Sequence, residues 1–386
     1  MKHSYLKFIF LSLITLNIWS CSNSDSLESK VWSSDKANAW YADQDWMIGA
    51  NFSPSTAINQ IEFWQEESYD PETIDRELGY AHDIGMNVMR VYLHYLVWVK
   101  NPTKMKERIE DFLSICKKHD IKIMFVFFDD CWGNNCAPHH PGIGEPILGK
   151  QPEPVFGTHN SGWVENPGAE VVDDKALFPV LKAFVQDIMI HFRSHEQVLM
   201  WDLYNEPGNN MYNADNEELP KEEQIKILMR TYPLLTESMK WAREANVEQP
   251  ITVGLWQWNE DFEIFNEFQA ANSDIITFHD YNSIENFKEE RLPNLLSYGR
   301  PLICTEYVAR TRGNTFETHL PTFREYNIGA INWGLVKGKT NTVFQWDSLY
   351  TTDDPDLWFH DIFRKDGTPF DQKEIDLIKS LINLGG

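Results

Sequence analysis

The sequence predicts one α/β domain folded as a (β/α)8 barrel, the TIM-barrel architecture. The chain has 386 residues, a length that suits one large barrel. From about residue 45 onward, short β-rich runs alternate with helical stretches, which is the pattern of a parallel sheet built from βα units. Most of the runs are continuously apolar rather than alternating, as is typical of strands buried on both faces.

Eight runs read as strands, and each is short and bounded by polar or turn-forming residues. They occupy residues 46–52, 86–94, 121–128, 197–204, 251–258, 274–281, 301–308 and 327–336. Eight strands, each followed by a helix or a long loop, fit a closed barrel better than an open doubly wound sheet.

The stretches between the runs carry apolar residues at three-to-four spacing, which predicts helices. The first opens with Asp70-Pro71-Glu72, an N-cap followed by a proline and an acid in the first turn, and stops at Gly85. Helices are expected at 71–84, 103–119, 172–194, 220–245, 284–298 and 371–383, with a weak helix near 260–271.

The loops indicate where a site lies. No Gly-rich dinucleotide-binding turn follows the first strand, whose next residues are Ser53-Pro54-Ser55, so no nicotinamide or flavin cofactor is expected. The longest insertion, 129–171, follows the third strand, and long βα loops build the active face of such a barrel. This loop either closes one end of a cleft or adds subsites to it.

Composition limits the partners. Lys and Arg number 34 against 58 Asp and Glu, a net charge of -24 that repels phosphate backbones, so no nucleic acid partner is expected. Hydrophobic residues make up 42% and charged residues 24%, which is a globular composition. Aromatic residues reach 13%, with 15 Trp, and an excess of aromatic side chains is typical of sugar-binding sites.

Residues 1–20 have the layout of a secretory signal peptide. Lys2 and Lys7 precede an apolar run over 8–18, which is too short to span a bilayer. The run leads to Cys21 and a polar stretch, and this junction resembles a bacterial lipobox. The resemblance implies that Cys21 is lipidated and becomes the mature N-terminus. An uncleaved anchor and soluble secretion are the alternatives.

The expected organisation is therefore a lipoprotein signal peptide over 1–20, a polar tether over 21–40 and a single catalytic domain over 41–386. Such a protein lies in the bacterial cell envelope, on the outer membrane surface or the periplasmic face. It touches the membrane through its N-terminal lipid alone. Its oligomeric state has no signal in the sequence.

The remaining cysteines are too few for a disulfide scaffold. Cys131 and Cys136 bracket a short loop, where a local disulfide and two thiols are equally compatible with the spacing. Cys116 and Cys304 read as small core residues. No His pair accompanies the cysteines, so no zinc site is expected.

Two carboxylates stand at strand ends. Glu206 ends the fourth strand in WDLYNEP, and Glu306 lies near the end of the seventh in ICTEYV. Strand ends converge on the mouth of a barrel, and paired carboxylates across a sugar are what glycoside hydrolysis requires. A separation of about 5–5.5 Å indicates retention, and about 6.5–9.5 Å indicates inversion. We expect the closer spacing.

Asn205-Glu206-Pro207, together with Glu306, resembles the clan A glycoside hydrolases, which include family 5. Asn87-Val88-Met89-Arg90 on the second strand, His279-Asp280-Tyr281 on the sixth and Trp333 on the eighth extend the resemblance over most of the barrel. The resemblance implies that Glu206 is the acid/base, that Glu306 is the nucleophile and that the reaction proceeds with retention.

The chemistry of each side chain suggests its part. Arg90 is expected to keep Glu306 ionised by lowering its pKa, and Tyr281 to donate its hydroxyl to the same carboxylate. Asn205 would bind the sugar 2-hydroxyl, and His279 would bind a sugar hydroxyl or tune the pair. Burial should raise the pKa of Glu206. For Arg90, Tyr281 and His279, the alternative is a structural role in the barrel core.

Substrate contacts are expected from Trp333, Trp256 and Trp258, which can stack on sugar rings, and from His94 and Asp129. The third strand ends without the acid-x-His spacing that family 5 often has, so His94 is expected to face the site instead. The acids and histidines of the long loop, Asp129, Asp130, His139 and His140, read as solvated or as a subsite, and no metal is expected.

The resulting hypothesis is a retaining hydrolase of β-linked glycans, with a β-glucan or β-mannan backbone or oligosaccharides from it as substrate. The alternative is a non-catalytic carbohydrate-binding lipoprotein on the same barrel. A metal-dependent barrel hydrolase usually has His-x-His after the first strand, where this chain has Asn51-Phe52-Ser53. Exo and endo action both stay open.

Overall fold

The eight expected strands form one parallel sheet, which confirms the (β/α)8 barrel. The structure is a computed structural model, and it describes residues 30–131, 144–209, 219–347 and 349–383. The strands are β1 (Ile48–Asn51), β2 (Val88–Tyr92), β3 (Lys122–Asp129), β4 (Val198–Asn205), β5 (Ile251–Thr252), β6 (Ile276–His279), β7 (Leu302–Glu306) and β8 (Gly329–Trp333).

Neighbouring strands pair in the order β5-β4-β3-β2-β1-β8-β7-β6. The barrel closes between β5 and β6 through a parallel bridge of Leu255 with Phe278. There Leu255 N donates to Thr277 O at 2.9 Å, and His279 N donates to Leu255 O at 2.8 Å. β5 is shorter than expected because the chain leaves the sheet after Thr252 and carries its tryptophans to the mouth of the barrel.

Helices follow most strands on the outside of the barrel. They are α1 (Ser34–Ala42), α2 (Gln60–Trp64), α3 (Pro71–Asp83), α4 (Tyr95–Lys100), α5 (Pro102–Lys118), α6 (Ala169–Asp173), α7 (Phe178–His191), α8 (Lys221–Ala245), α9 (Glu263–Asn272), α10 (Ile284–Asn286), α11 (Leu292–Ser297), α12 (Phe316–Glu325) and α13 (Gln372–Asn383). A π-helical turn, Phe287–Arg291, joins α10 to α11.

Local chemistry explains where the helices agree with the sequence and where they differ. The Asp70 side chain accepts from Thr73 N and starts α3 as expected. The expected helix 172–194 is divided, because the Asp174 side chain accepts from Ala176 N and starts a new turn before α7. α12 is not expected from the sequence because Pro321 interrupts its pattern.

The first described residues belong to the barrel and not to a tether. Trp32 N donates to Asp274 Oδ1 at 2.8 Å, and Ala37 and Tyr41 of α1 are buried in a cluster at the N-terminal ends of the strands. The Tyr41 hydroxyl donates to Asn327 O at 3.0 Å. The expected tether over 21–40 is therefore wrong for its described part, because α1 covers the bottom of the barrel.

The signal peptide and Cys21 lie outside the described residues. Within those residues, no helix has the length and apolar character needed to cross a bilayer.

We predict that Tyr41→Ala lowers the free energy of unfolding by about 3–5 kcal/mol, because it leaves a cavity under the barrel. Ala39→Ser, on the exposed side of the same helix, is the matched control. Urea titration followed by tryptophan fluorescence measures both variants. Equal midpoints for the two would mean that α1 does not stabilise the barrel.

Candidate active site

A cavity of about 600 Å³ opens at the C-terminal ends of the strands. Its lining comes from the ends of β3 to β8 and the loops that follow them. Eight of the expected site residues lie in its wall: Asn205, Glu206, Trp256, Trp258, His279, Tyr281, Glu306 and Trp333. Arg90 lies behind Glu306, whereas His94 and Asp129 are elsewhere.

The two glutamates face each other across His279. One carboxylate oxygen of Glu206, one of Glu306 and a ring nitrogen of His279 all lie within 4.8 Å of one another. His279 Nδ1 is 2.9 Å from Glu206 Oε1 and 3.5 Å from Glu306 Oε2. This spacing is much closer to the about 5–5.5 Å of retaining glycosidases than to the about 6.5–9.5 Å of inverting ones.

Arg90 is almost fully buried, and its N–H groups donate to side chains on three other strands, β1, β4 and β7. Nε and Nη2 donate to Asp202 Oδ2 at 2.9 and 2.7 Å, and Nη2 also donates to Asn205 Oδ1 at 2.8 Å. Nη1 donates to Asn51 Oδ1 at 2.9 Å and to Glu306 Oε1 at 3.3 Å. Arg90 therefore has both of the roles considered from the sequence: it is an ion-pair partner in the barrel core, and it also contacts Glu306.

Glu306 receives hydrogen bonds on both oxygens. Tyr281 donates to Oε2 at 2.9 Å, and Tyr92 donates to Oε1 at 3.4 Å beside Arg90. Burial raises the pKa of Glu306, while His279, Arg90 and Tyr281 act to lower it. Arg90 lowers the pKa of Glu306 as expected, but burial has the larger effect and the net change is an increase, since Arg90 shares its charge with the buried Asp202.

Glu206 has a different environment. Burial raises its pKa to about 7, which the side chains of Asn209, Arg90 and Cys131 oppose. Its Oε2 accepts a hydrogen bond from Asn209. No arginine or tyrosine donates to this carboxyl in the described structure. The expected increase of the Glu206 pKa is in agreement with this environment.

A strained turn presents Glu206 to the cavity. Its φ is 44°, in the left-handed region that non-glycine residues rarely adopt, and Gly208 follows at 86°. Asp130 holds the turn, accepting from Gly208 N at 2.7 Å, Thr231 Oγ1 at 2.5 Å and the Tyr204 hydroxyl at 2.7 Å. The conformation is kept by buried hydrogen bonds from three segments of the chain.

Asp129 contradicts the expected substrate contact, because it is fully buried beneath the site. It accepts from Asn205 Nδ2 at 2.9 Å, Trp163 Nε1 at 2.7 Å and Cys131 N at 2.9 Å. With Arg90 on its other side, the Asn205 amide has a fixed orientation, since its oxygen must meet the arginine and its nitrogen the carboxylate. Asp129 thus positions Asn205.

His94 also contradicts the expected substrate contact. Its Nδ1 accepts from Leu96 N at 3.2 Å and caps α4, so its Nε2 carries the proton and donates to Glu165 O at 3.1 Å. Burial lowers the pKa of His94 to about 3. A histidine with both nitrogens used and no exposed surface serves the fold and does not contact substrate.

Trp333 lies at the base of the cavity in a cluster that the sequence only partly predicts. It meets Tyr92 and Trp163 edge to face, with ring centroids 5.6 and 5.4 Å apart. Tyr92 is two residues beyond Arg90 and therefore on the same face of β2, a signal that could have identified it. Trp163 lies in a long loop, where no local pattern predicts its position.

The described part of the 129–171 insertion packs against the segment after β8. Asn160 N donates to Thr340 O at 2.9 Å, and Tyr350 N donates to Gly157 O at 3.0 Å. The two loops form a wall above β1 and β2, and neither of these strands contributes to the lining of the cavity. The insertion also contributes Cys131 and His159 to the lining, so both expected roles of this loop stay open.

Glu206, His279 and Glu306 are also the one group in the described residues whose spacing would suit a metal ion. The three side chains already contact one another, and the charge of Arg90 beside Glu306 disfavours a cation. His139, His140 and Cys136 lie outside the described residues. The Cys131–Cys136 disulfide therefore stays one of the two alternatives.

Comparison with known sequences gives one family. A sequence profile described as Cellulase (glycosyl hydrolase family 5) matches residues 51–339. No curated protein sequence matches the chain.

Solved structures similar to this chain have the same barrel. The endo-β-1,4-mannanase of Thermotoga petrophila has a TM-score of 0.51 at 15% identity, covering 89% of this chain and 78% of its own. A GH5_18 protein of Bifidobacterium longum subsp. longum in complex with Manβ1-4GlcNAc has a TM-score of 0.53 at 13% identity, covering 88% and 78%. The exo-β-1,4-mannosidase of an Opitutaceae bacterium has 0.51 at 15%, covering 88% and 59%.

We predict that Asn209→Ala raises the pKa of Glu206 above about 7, by roughly half to one unit, because it removes a donor to the ionised carboxylate. Infrared titration of the carboxyl stretch, with Glu206→Gln subtracted, measures this pKa. Asn282→Ala is the control, since Asn282 lines the cavity but bonds to Asp280. An unchanged or lower pKa in Asn209→Ala would contradict the assignment.

Proposed function

The chain belongs to glycosyl hydrolase family 5, the cellulase family, and from this membership we propose that it cleaves β-linked glycans with retention by a two-glutamate double displacement. Glu206 is the acid and base, and Glu306 is the nucleophile. The observation that carries the proposal is the close approach of the two carboxylates around His279, within 4.8 Å, in the wall of the cavity.

The contrast between the two carboxyl groups supports the assignment of roles. Glu306 accepts from Tyr281 and Arg90, donors that stabilise a carboxylate ready to attack. Glu206, with a pKa raised to about 7, is protonated in a substantial fraction of molecules near neutral pH. A group that must give up a proton and later take one back needs a pKa in that range.

In the first step, Glu206 gives its proton to the glycosidic oxygen as the bond to the leaving sugar breaks. The Glu306 carboxylate attacks the anomeric carbon and forms a glycosyl ester. Because burial lowers the pKa of His279 to about 4, its ring is neutral. The hydrogen bond between His279 Nδ1 and Glu206 Oε1, at 2.9 Å, then stabilises the carboxylate that forms on Glu206.

In the second step, the ionised Glu206 removes a proton from water as the water oxygen attacks the anomeric carbon. The ester bond breaks and its electron pair returns to Glu306, so both glutamates regain their starting states. The product has the configuration of the substrate because the carbon has been inverted twice.

Asn205 and Trp333 contribute to the binding of the reacting sugar. Asn205 Nδ2 uses one hydrogen on Asp129 and retains a second for a sugar hydroxyl at the cavity wall. Trp333 offers an aromatic surface whose orientation is set by Tyr92 and Trp163. The hydrogen bond between Asn205 and the sugar 2-hydroxyl becomes stronger as the oxocarbenium-like state develops.

We favour a β-glucan or β-mannan backbone, or oligosaccharides from it, as substrate. The endo-β-1,4-mannanase and the exo-β-1,4-mannosidase of the same fold are in line with this choice. The cavity that would take the sugar chain is lined by the ends of β3 to β8 and the loops after them, without β1 and β2. The two carboxylates carry out both steps without a cofactor.

Loss and chemical rescue test the roles of the glutamates. We predict that Glu306→Ala lowers turnover of a para-nitrophenyl β-glycoside by roughly 10⁴-fold or more, because no covalent intermediate forms. Azide fits the vacated space and restores part of the activity, giving the α-glycosyl azide. Glu206→Ala still forms the intermediate on Glu306, so azide gives the β-glycosyl azide.

The two azide products are distinguished by their anomeric proton signals. Interchanged configurations would mean that the roles are reversed. Absence of turnover by the wild-type protein on a panel of β-glycans, with retained binding to one of them, would favour the carbohydrate-binding lipoprotein.

We also propose that the protein is attached to the bacterial cell envelope by a lipid on Cys21. The charged and apolar residues before Cys21 support this reading. We predict that the wild-type protein incorporates labelled palmitate and sediments with membranes, and that Cys21→Ser does neither. Cys116→Ser, a buried core cysteine, is the control. Equal labelling of wild type and Cys21→Ser would exclude the lipid.

A further inference from the structure

The described lining of the cavity has two arginines beside its two glutamates, although the protein as a whole is strongly acidic. The chain has a net charge of -24, yet in the described lining the charged residues other than the two glutamates are Arg291 and Arg312. No aspartate or further glutamate joins them there. A binding site with two arginines in so acidic a protein requires a reason beyond general surface composition.

Arg291 ends the π-helical turn after β6 and stacks on Trp258, with its Cζ 4.8 Å from the ring centroid. Its Nε is buried and has no hydrogen-bond partner. The guanidinium makes no ion pair with any described residue. Arg291 lines the cavity, and although the charges of Asp280 and Glu290 act on it, neither accepts a hydrogen bond from its guanidinium, which is therefore available to a ligand.

Other arginines stacked on aromatic rings differ from Arg291 in this respect. Arg310 donates to Glu374, Arg364 donates to Asp354, and Arg324 donates to Leu381 O. Each lies on a ring and also has an acceptor from the protein. Among the described stacked arginines, Arg291 alone lacks one, which indicates that stacking on Trp258 orients it for an acceptor from outside the chain.

Arg312 lies in the next βα loop and stacks on Trp346, with its Cζ 4.7 Å from the ring. Trp346 meets Tyr281 edge to face at 4.9 Å, and Tyr281 donates to Glu306. Among the described residues, the one acceptor of Arg312 is Asp347, at 3.4 Å, and both side chains are about half exposed. An exposed pair of this length contributes little, so Arg312 can exchange Asp347 for a ligand.

We propose that Arg291 and Arg312 bind an anionic group of the glycan, a carboxylate or a sulfate ester, on a sugar next to the catalytic pair. This rests on the proposed function and narrows its substrate to acidic β-glycans. Neutral hydroxyls are bound well by amides and aromatic rings, which the cavity also has. A planar guanidinium instead matches the paired oxygens of a carboxylate or sulfate.

The negative net charge of the protein bears on how an acidic glycan could bind. A negatively charged glycan is repelled by a protein with a net charge of -24, so its binding requires local positive charge at the site. Two arginines held by tryptophan rings supply it at a small entropic cost, because their side chains are already ordered.

Binding calorimetry and hydrolysis on matched ligands test the inference. The probes are cellotetraose and mannotetraose, the same oligosaccharides oxidised at a primary hydroxyl to the uronate, and the same sulfated there. We expect the wild type to bind one acidic form at least about 10-fold more tightly than its neutral counterpart, and less so at high salt. The uronate and sulfate arms distinguish the two sources of charge.

Arg291→Gln and Arg312→Gln should each weaken binding of that acidic ligand by about 10–100-fold and change binding of the neutral one by less than about 2-fold. Arg324→Gln, which removes a stacked arginine far from the cavity, should change neither. Equal affinity of the wild type for neutral and acidic forms would overturn the inference, as would equal losses for both in the arginine variants.

The two proposals can fail separately. Hydrolysis of neutral oligosaccharides without any preference for acidic ones would leave the proposed function intact and remove the role of the arginines. Arginine-dependent binding of acidic ligands without hydrolysis would leave the anion site intact and remove the catalytic assignment.

Discussion

The buried guanidinium of Arg90 is the interaction on which the site depends. Its donors reach Asn51 on β1, Asp202 and Asn205 on β4 and Glu306 on β7, so a single planar group on β2 fixes side chains from three other strands. Since the guanidinium can only donate, each partner must present an oxygen to it. Replacement by lysine would keep a charge but lose this planar arrangement of donors.

The two catalytic carboxylates are held in place by different contacts. Glu306 belongs to the arginine's own network, which favours the carboxylate against the cost of burial. Glu206 stands on a left-handed turn secured by Asp130, where burial keeps its pKa near 7. The barrel thus gives two chemically identical side chains different environments, and double displacement depends on that difference.

The strands and the catalytic pair were predictable because both follow from local patterns. Buried parallel strands are continuous apolar runs, and a carboxylate at a strand end is conspicuous among them. His94 and Asp129 share the same positions at strand ends, but their hydrogen-bond partners, Glu165 O and Trp163, come from a distant loop. The place of α1 beneath the barrel likewise depends on contacts that are remote in sequence, so residues before 41 read as a tether.

The most direct test of the two-glutamate mechanism is the anomeric configuration of the first product of the wild-type enzyme. Proton NMR, recorded during hydrolysis of whichever para-nitrophenyl β-glycoside or β-linked oligosaccharide it cleaves, detects the product before mutarotation. Double displacement predicts that the β-anomer appears first and the α-anomer follows slowly. Initial release of the α-anomer would contradict double displacement through Glu306.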